Sequence, residues 1–267
     1  MITPLYELVN YNSEIPFIFS SHIYEYDIQK ANINILLEKG CITEEIYNSL
    51  LKADRMVRQV KIGLLLQSNP KLVDVLKAGI IEAKKNLFEA NQINPASVLG
   101  IKNDAVFLIN TVLKYTRFGR VNFALKGDYT SYMKVFNIEM YYSLNRVNQT
   151  DQIIVKGIGD KNLEKHKEYF LDFLTYLFNI IETESSENVI ASFMNFYQQY
   201  LNRELPIEYY RNFDAISKYR LINSPYLLEK ITDGTSKIRD IDISYNLNFL
   251  RQIYQYITTV YFEQHKI

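Results

Sequence analysis

Three short stretches of this chain hold the residues best suited to chemistry. Asp27 closes an aromatic, alternating run, FIFSSHIYEY, that reads as a strand, and a helical spacing begins just after it, near Ala31. Asp104 belongs to Lys102-Asn103-Asp104, a turn-like trio between two apolar runs, Val98–Ile101 and Ala105–Ile109, which together predict a hairpin. Between the two acids, Arg55, Arg58 and Lys61 recur three apart, near one face of a helix. Two carboxylates drawn from separate segments can hold a pair of divalent ions about 3.5–4 Å apart, one activating a hydroxyl and one neutralising a triphosphate. A cationic helix opposite them binds the phosphates. The chemistry expected is nucleotidyl transfer, with Asp27 and Asp104 as catalytic, Mg²⁺-binding residues and Arg55, Arg58 and Lys61 at the nucleotide. The competing structural reading makes Asp27 a cap, Asp104 a turn former and the basic stripe a solvated helix face.

The same three stretches, in this order, resemble the motifs of the family A DNA polymerases. YDIQKANINILLEKG is similar to their strand that ends in Asp and runs into a Leu-rich helix. RMVRQVKIGLLLQ is similar to their fingers-helix motif, Arg-x3-Lys-x4-Gly-x2-Tyr-Gly. Placing Gly63 on the first Gly puts Arg58 at the lysine position. VLGIKNDAVFLI resembles their apolar strand, His-Asp-Glu and second apolar strand. The departures are specific. Asp54 stands where the Arg would fall, Leu66 replaces the Tyr, and Ala105 replaces the second acid. Asn32 takes the place of the Glu that excludes a 2′-hydroxyl, which makes it a candidate substrate contact of open sugar preference. The resemblance covers about 90 residues. It implies a palm-like core with minimal fingers, Mg²⁺ in a two-metal site, and template-directed synthesis on a nucleic-acid template from nucleoside triphosphates. A non-catalytic palm-like scaffold or interaction subunit is the alternative.

Along the chain the patterns predict an α+β fold in three parts. Residues 1–115 form the palm-like core with short helical fingers, 116–160 a β-rich segment, and 161–267 a helical region. Thr43 reads as an N-cap, Gly40 as a helix stop, and Pro70 as a helix start. Gly127-Asp128 reads as a turn between strands, and so does Gly-Ile-Gly-Asp at 157–160, which lacks the lysine and serine of a phosphate loop. His22 and His166 read as structural. Lys161, Lys165 and Lys167 form a small basic helix start. A last amphipathic helix is expected over 243–263, with Leu247, Leu250, Ile253, Tyr254, Ile257 and Val260 on one side.

Composition bounds these readings. Thirty basic residues balance thirty acidic ones, so a firm grip on nucleic acid needs a local patch or a partner, which points to other replication proteins. The single Cys41 excludes an intramolecular disulfide. The start of the chain lacks a signal-peptide pattern and no apolar run of about 18 residues occurs, so the expected place is the cytoplasm and no membrane partner is expected. Abundant Asn, Ile, Lys and Tyr, with no Trp, suggest an AT-rich coding sequence, as in a low-GC genome or a phage; the host cytoplasm would then be the setting.

Overall fold

The computed structural model describes residues 3–135, 138–145, 150–157 and 160–202, with 204–206, 209, 259 and 261 besides. The fold is α+β, in two compact units: Met1–Ile15 with Ser21–Tyr129, and Pro16–Ser20 with Thr130–Ile267. Residues 116–129 therefore go with the first unit and 130–160 with the second.

The first unit contains a six-stranded antiparallel sheet and four helices. Its strands are β1 (Asn10–Asn12), β3 (Ile23–Ile28), β4 (Val98–Lys102), β5 (Ala105–Ile109), β6 (Arg117–Phe118) and β7 (Val121–Tyr129), while β2 (Phe17–Ile18) belongs to the second unit. They lie in the order β1-β4-β5-β3-β7-β6, so β3 is central, between the hairpin β4–β5 and β7. The helices are α1 (Ala31–Glu38), α2 (Glu44–Lys52), α3 (Arg55–Ser68) and α4 (Lys71–Asn91).

Local sequence accounts for their ends. Gly40, at φ 66°, donates to the Leu37 carbonyl while Cys41 donates to that of Leu36, a Schellman stop for α1 that needs a residue tolerant of the left-handed region. The Thr43 hydroxyl accepts from the Ile46 amide and the Asp54 carboxylate from the Val57 amide, capping α2 and α3. Buried Ile33, Leu36, Leu76, Leu87, Val98, Ile101, Val106 and Leu108 belong to one apolar core.

In the second unit the sheet order is β10 (Thr150–Lys156), β9 (Ile138–Asn145), β8 (Ser131–Val135), β2. Helix α5 (Asp160–Thr183) packs on β9 and β10, and α6 (Ser186–Asn202) packs on α5. Tyr142 stacks on Phe178 with ring centroids 5.2 Å apart, and Phe170, Phe173, Leu177 and Phe193 are buried beside them.

Two expectations change here. The run 17–26 is two strands in different sheets, because Ser20 turns into the left-handed region at φ 49°. Gly127-Asp128 is no turn but lies inside β7, where the register against β3 slips by one residue. His22, read as structural, is exposed, stacked on Tyr24 and 3.2 Å from Asp128. The helix expected over 243–263 lies outside the described residues, apart from 259 and 261; so do the side chains of Lys161, Lys165, His166 and Lys167 within α5.

Candidate functional site

The site is assembled where β3 ends. Asp27 pairs with Ala105 across β3 and β5, so it stands one residue from Asp104 in cross-strand register. The amide of Ile28 donates to the Asp104 carbonyl at 3.3 Å, tying the strand end to the hairpin tip. Asn103 makes the tight turn at φ 53°, which Asn tolerates better than most residues, and its amide donates to the Val9 carbonyl at 2.8 Å. Asp104 titrates above the ordinary carboxylate range, first through burial and then through the negative charge of Asp27. A backbone hydrogen bond, Lys126 and Lys84 act in the opposite direction.

Across from Asp104 opens a cleft of about 260 Å³. Arg55, Arg58 and Gln59 of α3 line one wall; Lys30 and Asn32, at the start of α1, line another; Ile28 and Ile62 supply apolar surface. Residues 55, 58, 59 and 62 follow helical spacing and so share one face of α3. Lys61 is exposed and is not part of the lining, since its place on the helix lies to one side of that face. Asp27 does not line the cleft either; it is linked to it through Asp104. Lys30 adopts the left-handed region at φ 50° and gives α1 no side-chain cap, so first-turn residues 31–33 border the cleft with their amides uncapped by a side chain. Three cations against one carboxylate, beside a helix start, make this cleft a place for a polyanion.

Sequence reading missed a second group of residues on the other side of Asp27. Lys126 Nζ lies 3.1 Å from Asp27 Oδ2 and 3.4 Å from Glu25 Oε1. Glu25 is buried, 2 % exposed, and its Oε2 accepts from the Tyr129 hydroxyl at 2.7 Å. Burial alone would depress the Lys126 ammonium, but its bonds to Asp27 and Glu25 outweigh that and raise it. Burial, then the bond to Glu25, keeps Tyr129 protonated far into the alkaline range.

A β-bulge explains the geometry. Glu25 pairs with Gly127 and Tyr26 with Leu125, so Lys126 is the extra residue of β7, turned toward the carboxylates. Gly127 is required because a Cβ there would sit 2.3 Å from the Tyr129 hydroxyl. Glu25 was legible as the residue two before Asp27 on the same strand face. Lys126 was hidden by the Gly-Asp turn signal.

A further cation, Lys84 of α4, is buried and donates to the Leu8 carbonyl at 2.5 Å. Burial pushes it down to about 8, while the charge of Asp104 pulls the other way.

Among the described residues no three His, Cys, Asp or Glu side chains form a group that could hold a metal ion. The donor set therefore does not fit an ion caged by protein alone. In other proteins Mg²⁺ is commonly held by one or two carboxylates together with substrate phosphates.

Fold and site define an α+β protein with a cationic cleft beside paired carboxylates. Over residues 1–259 the chain matches the family described as Bacteriophage PBS1 gene 130 protein, and it belongs to that phage family. No curated protein matches it. Among the described residues no helix is long and apolar enough to cross a membrane.

Proposed function

We propose that this phage protein is a nucleotidyltransferase that binds a nucleoside triphosphate in the cleft and joins its nucleotidyl group to a 3′-hydroxyl, in the manner of a template-directed DNA polymerase. Its main support is one juxtaposition. Asp27, near the end of β3, and Asp104, at the tip of the neighbouring hairpin β4–β5, are 77 residues apart in sequence yet within electrostatic reach, and Arg55 and Arg58 share a cleft with Asp104. The resemblance of these same stretches to the family A polymerase motifs suggests the same chemistry.

The roles follow from charge and position. Arg58 and Arg55 hold phosphate oxygens, which guanidinium forks match in pairs. The uncapped first turn of α1 adds backbone donors, and Asn32 faces the sugar or base. Asp27 and Asp104 are the residues that would hold Mg²⁺, which would supply charge neutralisation of the triphosphate and activation of the 3′-hydroxyl. The new bond joins the 3′-oxygen to the α-phosphorus as pyrophosphate leaves and the hydroxyl proton passes to solvent. The balanced net charge fits work inside a replication assembly in the host cytoplasm, with other chains adding DNA grip.

The test is extension of a labelled primer–template by deoxynucleotides, then by ribonucleotides, with Mg²⁺ and with any co-purifying phage chains. Loss of extension in Asp27→Asn and Asp104→Asn, with the fold retained, is the expected result. Extension that survives both changes overturns the proposal. A non-catalytic nucleotide-binding scaffold is favoured by one observation, the Lys126 ammonium on Asp27. That reading expects triphosphate binding that depends on Arg58, without turnover.

A further inference from the structure

The cleft beside Asp104 gathers positive charge that no carboxylate of the described residues takes up. Elsewhere in the first unit cations sit on acids: Lys39 on Glu82, Lys85 on Glu89, Arg120 on Glu44, and Lys126 on Asp27 and Glu25. Among the described residues Lys30, Arg55 and Arg58, which line the cleft, form no ion pair. The cations that favour ionisation of Asp104 are Lys126 and Lys84, not the two arginines. Three like charges around one hollow repel each other, and an anion placed among them relieves that repulsion. The acids lie otherwise. Among the described residues Asp104 is the one carboxylate in the lining, while Asp27 lies outside it with Oδ2 3.1 Å from Lys126 Nζ. Three cations against one carboxylate leave two positive charges in excess. A divalent ion entering this lining is repelled by all three, whereas a polyphosphate is attracted. The pair of ions that the polymerase resemblance implies therefore does not fit the lining.

We propose that the cleft binds a nucleoside triphosphate as the free anion, through Lys30, Arg55 and Arg58, with no divalent ion needed to seat it. The inference rests on the nucleotidyltransferase reading and names the form in which the substrate binds. A magnesium-bound triphosphate carries two fewer negative charges than the free anion, so three fixed cations hold it less firmly. Guanidinium forks match phosphate oxygens in pairs, and Lys30 adds a point charge from a second wall. Asn32 and Gln59 bring carboxamides able to meet the sugar or base. Asp104 plays the opposite part. Its charge faces the phosphates and weakens their binding, so removing that charge strengthens the hold on the free anion. A metal-bridged complex predicts the reverse, because Asp104 would then be a ligand of the bridging ion.

The experiment is isothermal titration of the full chain with deoxyadenosine triphosphate, in EDTA and then in excess Mg²⁺. Binding in EDTA should be at least as tight as in Mg²⁺, and binding that appears only with Mg²⁺ overturns the proposal. In EDTA, Asp104→Asn should tighten binding about threefold or more; unchanged or weaker binding in that variant overturns it as well. Arg55→Ala and Arg58→Ala should each weaken binding roughly tenfold, while Lys61→Ala, outside the lining, should not. Equal losses in all three would show a general attraction to positive charge and overturn the shaped site. Inorganic tripolyphosphate should displace the nucleotide in EDTA. A single-stranded DNA that displaces it where tripolyphosphate does not overturns the proposal and assigns the cleft to a nucleic-acid backbone. Metal-free binding that depends on Arg58, without primer extension, sinks the transfer reading and leaves the polyphosphate site standing. Primer extension together with binding that needs Mg²⁺ overturns the metal-free site alone.

Discussion

The amide of Ile28 donates to the carbonyl of Asp104 at 3.3 Å, so the strand end carrying Asp27 and the hairpin tip carrying Asp104 are joined through backbone. Neither carboxylate depends on side-chain packing alone for its place. Neutral replacements of either should leave the fold intact, and the following expectations use that.

Asp27→Asn and Asp104→Asn should each lower Mg²⁺-dependent primer extension at least about a hundredfold, the scale seen when one group facing transition-state charge is lost. Circular dichroism should stay unchanged. A parallel fall in helicity and activity would assign the loss to unfolding.

Asp104→Asn should also raise the melting temperature at pH 7. The folded-state titration of Asp104 is shifted up, so its contribution to stability is present below its ordinary value of 3.8 and is lost as pH rises through the shifted value. Where it is ionised, the half-buried carboxylate weakens the fold. The gap between variant and wild type should shrink as pH falls towards 4, and a gap that grows on acidification would contradict the assignment.

Arg58→Ala should weaken triphosphate binding by roughly tenfold or more, as expected for a charge-assisted contact. Lys61→Ala should change it little, since Lys61 is not part of the cleft lining. Isothermal titration with both variants separates a shaped phosphate site from a general attraction to positive charge, in which case the two losses would match.

Gly127→Ala should destabilise the chain by about 1–3 kcal/mol, because the added Cβ meets the Tyr129 hydroxyl at 2.3 Å. Tyr129→Ala, which removes the ring carbons 2.4 and 2.7 Å from that Cβ along with the hydroxyl, should cost less on top of Gly127→Ala than in wild type, although it leaves Glu25 without that donor. Chemical denaturation of the single and double variants measures this directly, and additive losses would deny the contact.

Lys84 sets a pH dependence of opposite sense in the alkaline range. Its folded value lies near about 8, below the ordinary 10.5, so its contribution is present above 10.5 and lost as pH falls through about 8. The stability of wild type minus that of Lys84→Met should rise between pH 8 and 10.5 and be flat below 7. A flat difference throughout would mean that Lys84 titrates normally.

Much of the molecule was legible as a sequence because short-range chemistry decides it. Thr43, Asp54 and Gly40 mark helix ends through bonds made within a few residues, and the hairpin around Asn103-Asp104 follows from turn chemistry between two apolar runs. Periodicity put Arg55 and Arg58 on one helical face for the same reason. Register across strands is different, because it depends on which distant segment pairs with which. The pairing of Asp27 with Ala105 joins residues 78 apart, and only the assembled sheet settles it. The bulge at Lys126 lies further from reach. Gly-Asp is chemically suited to a turn, yet in β7 the Gly instead makes room for Tyr129, and the extra residue swings a cation onto two acids. The sequence by itself determined the elements and the residues able to do chemistry. Tertiary structure alone decided that Lys126 stands against Asp27, since a bulge is a property of two paired strands and not of either one.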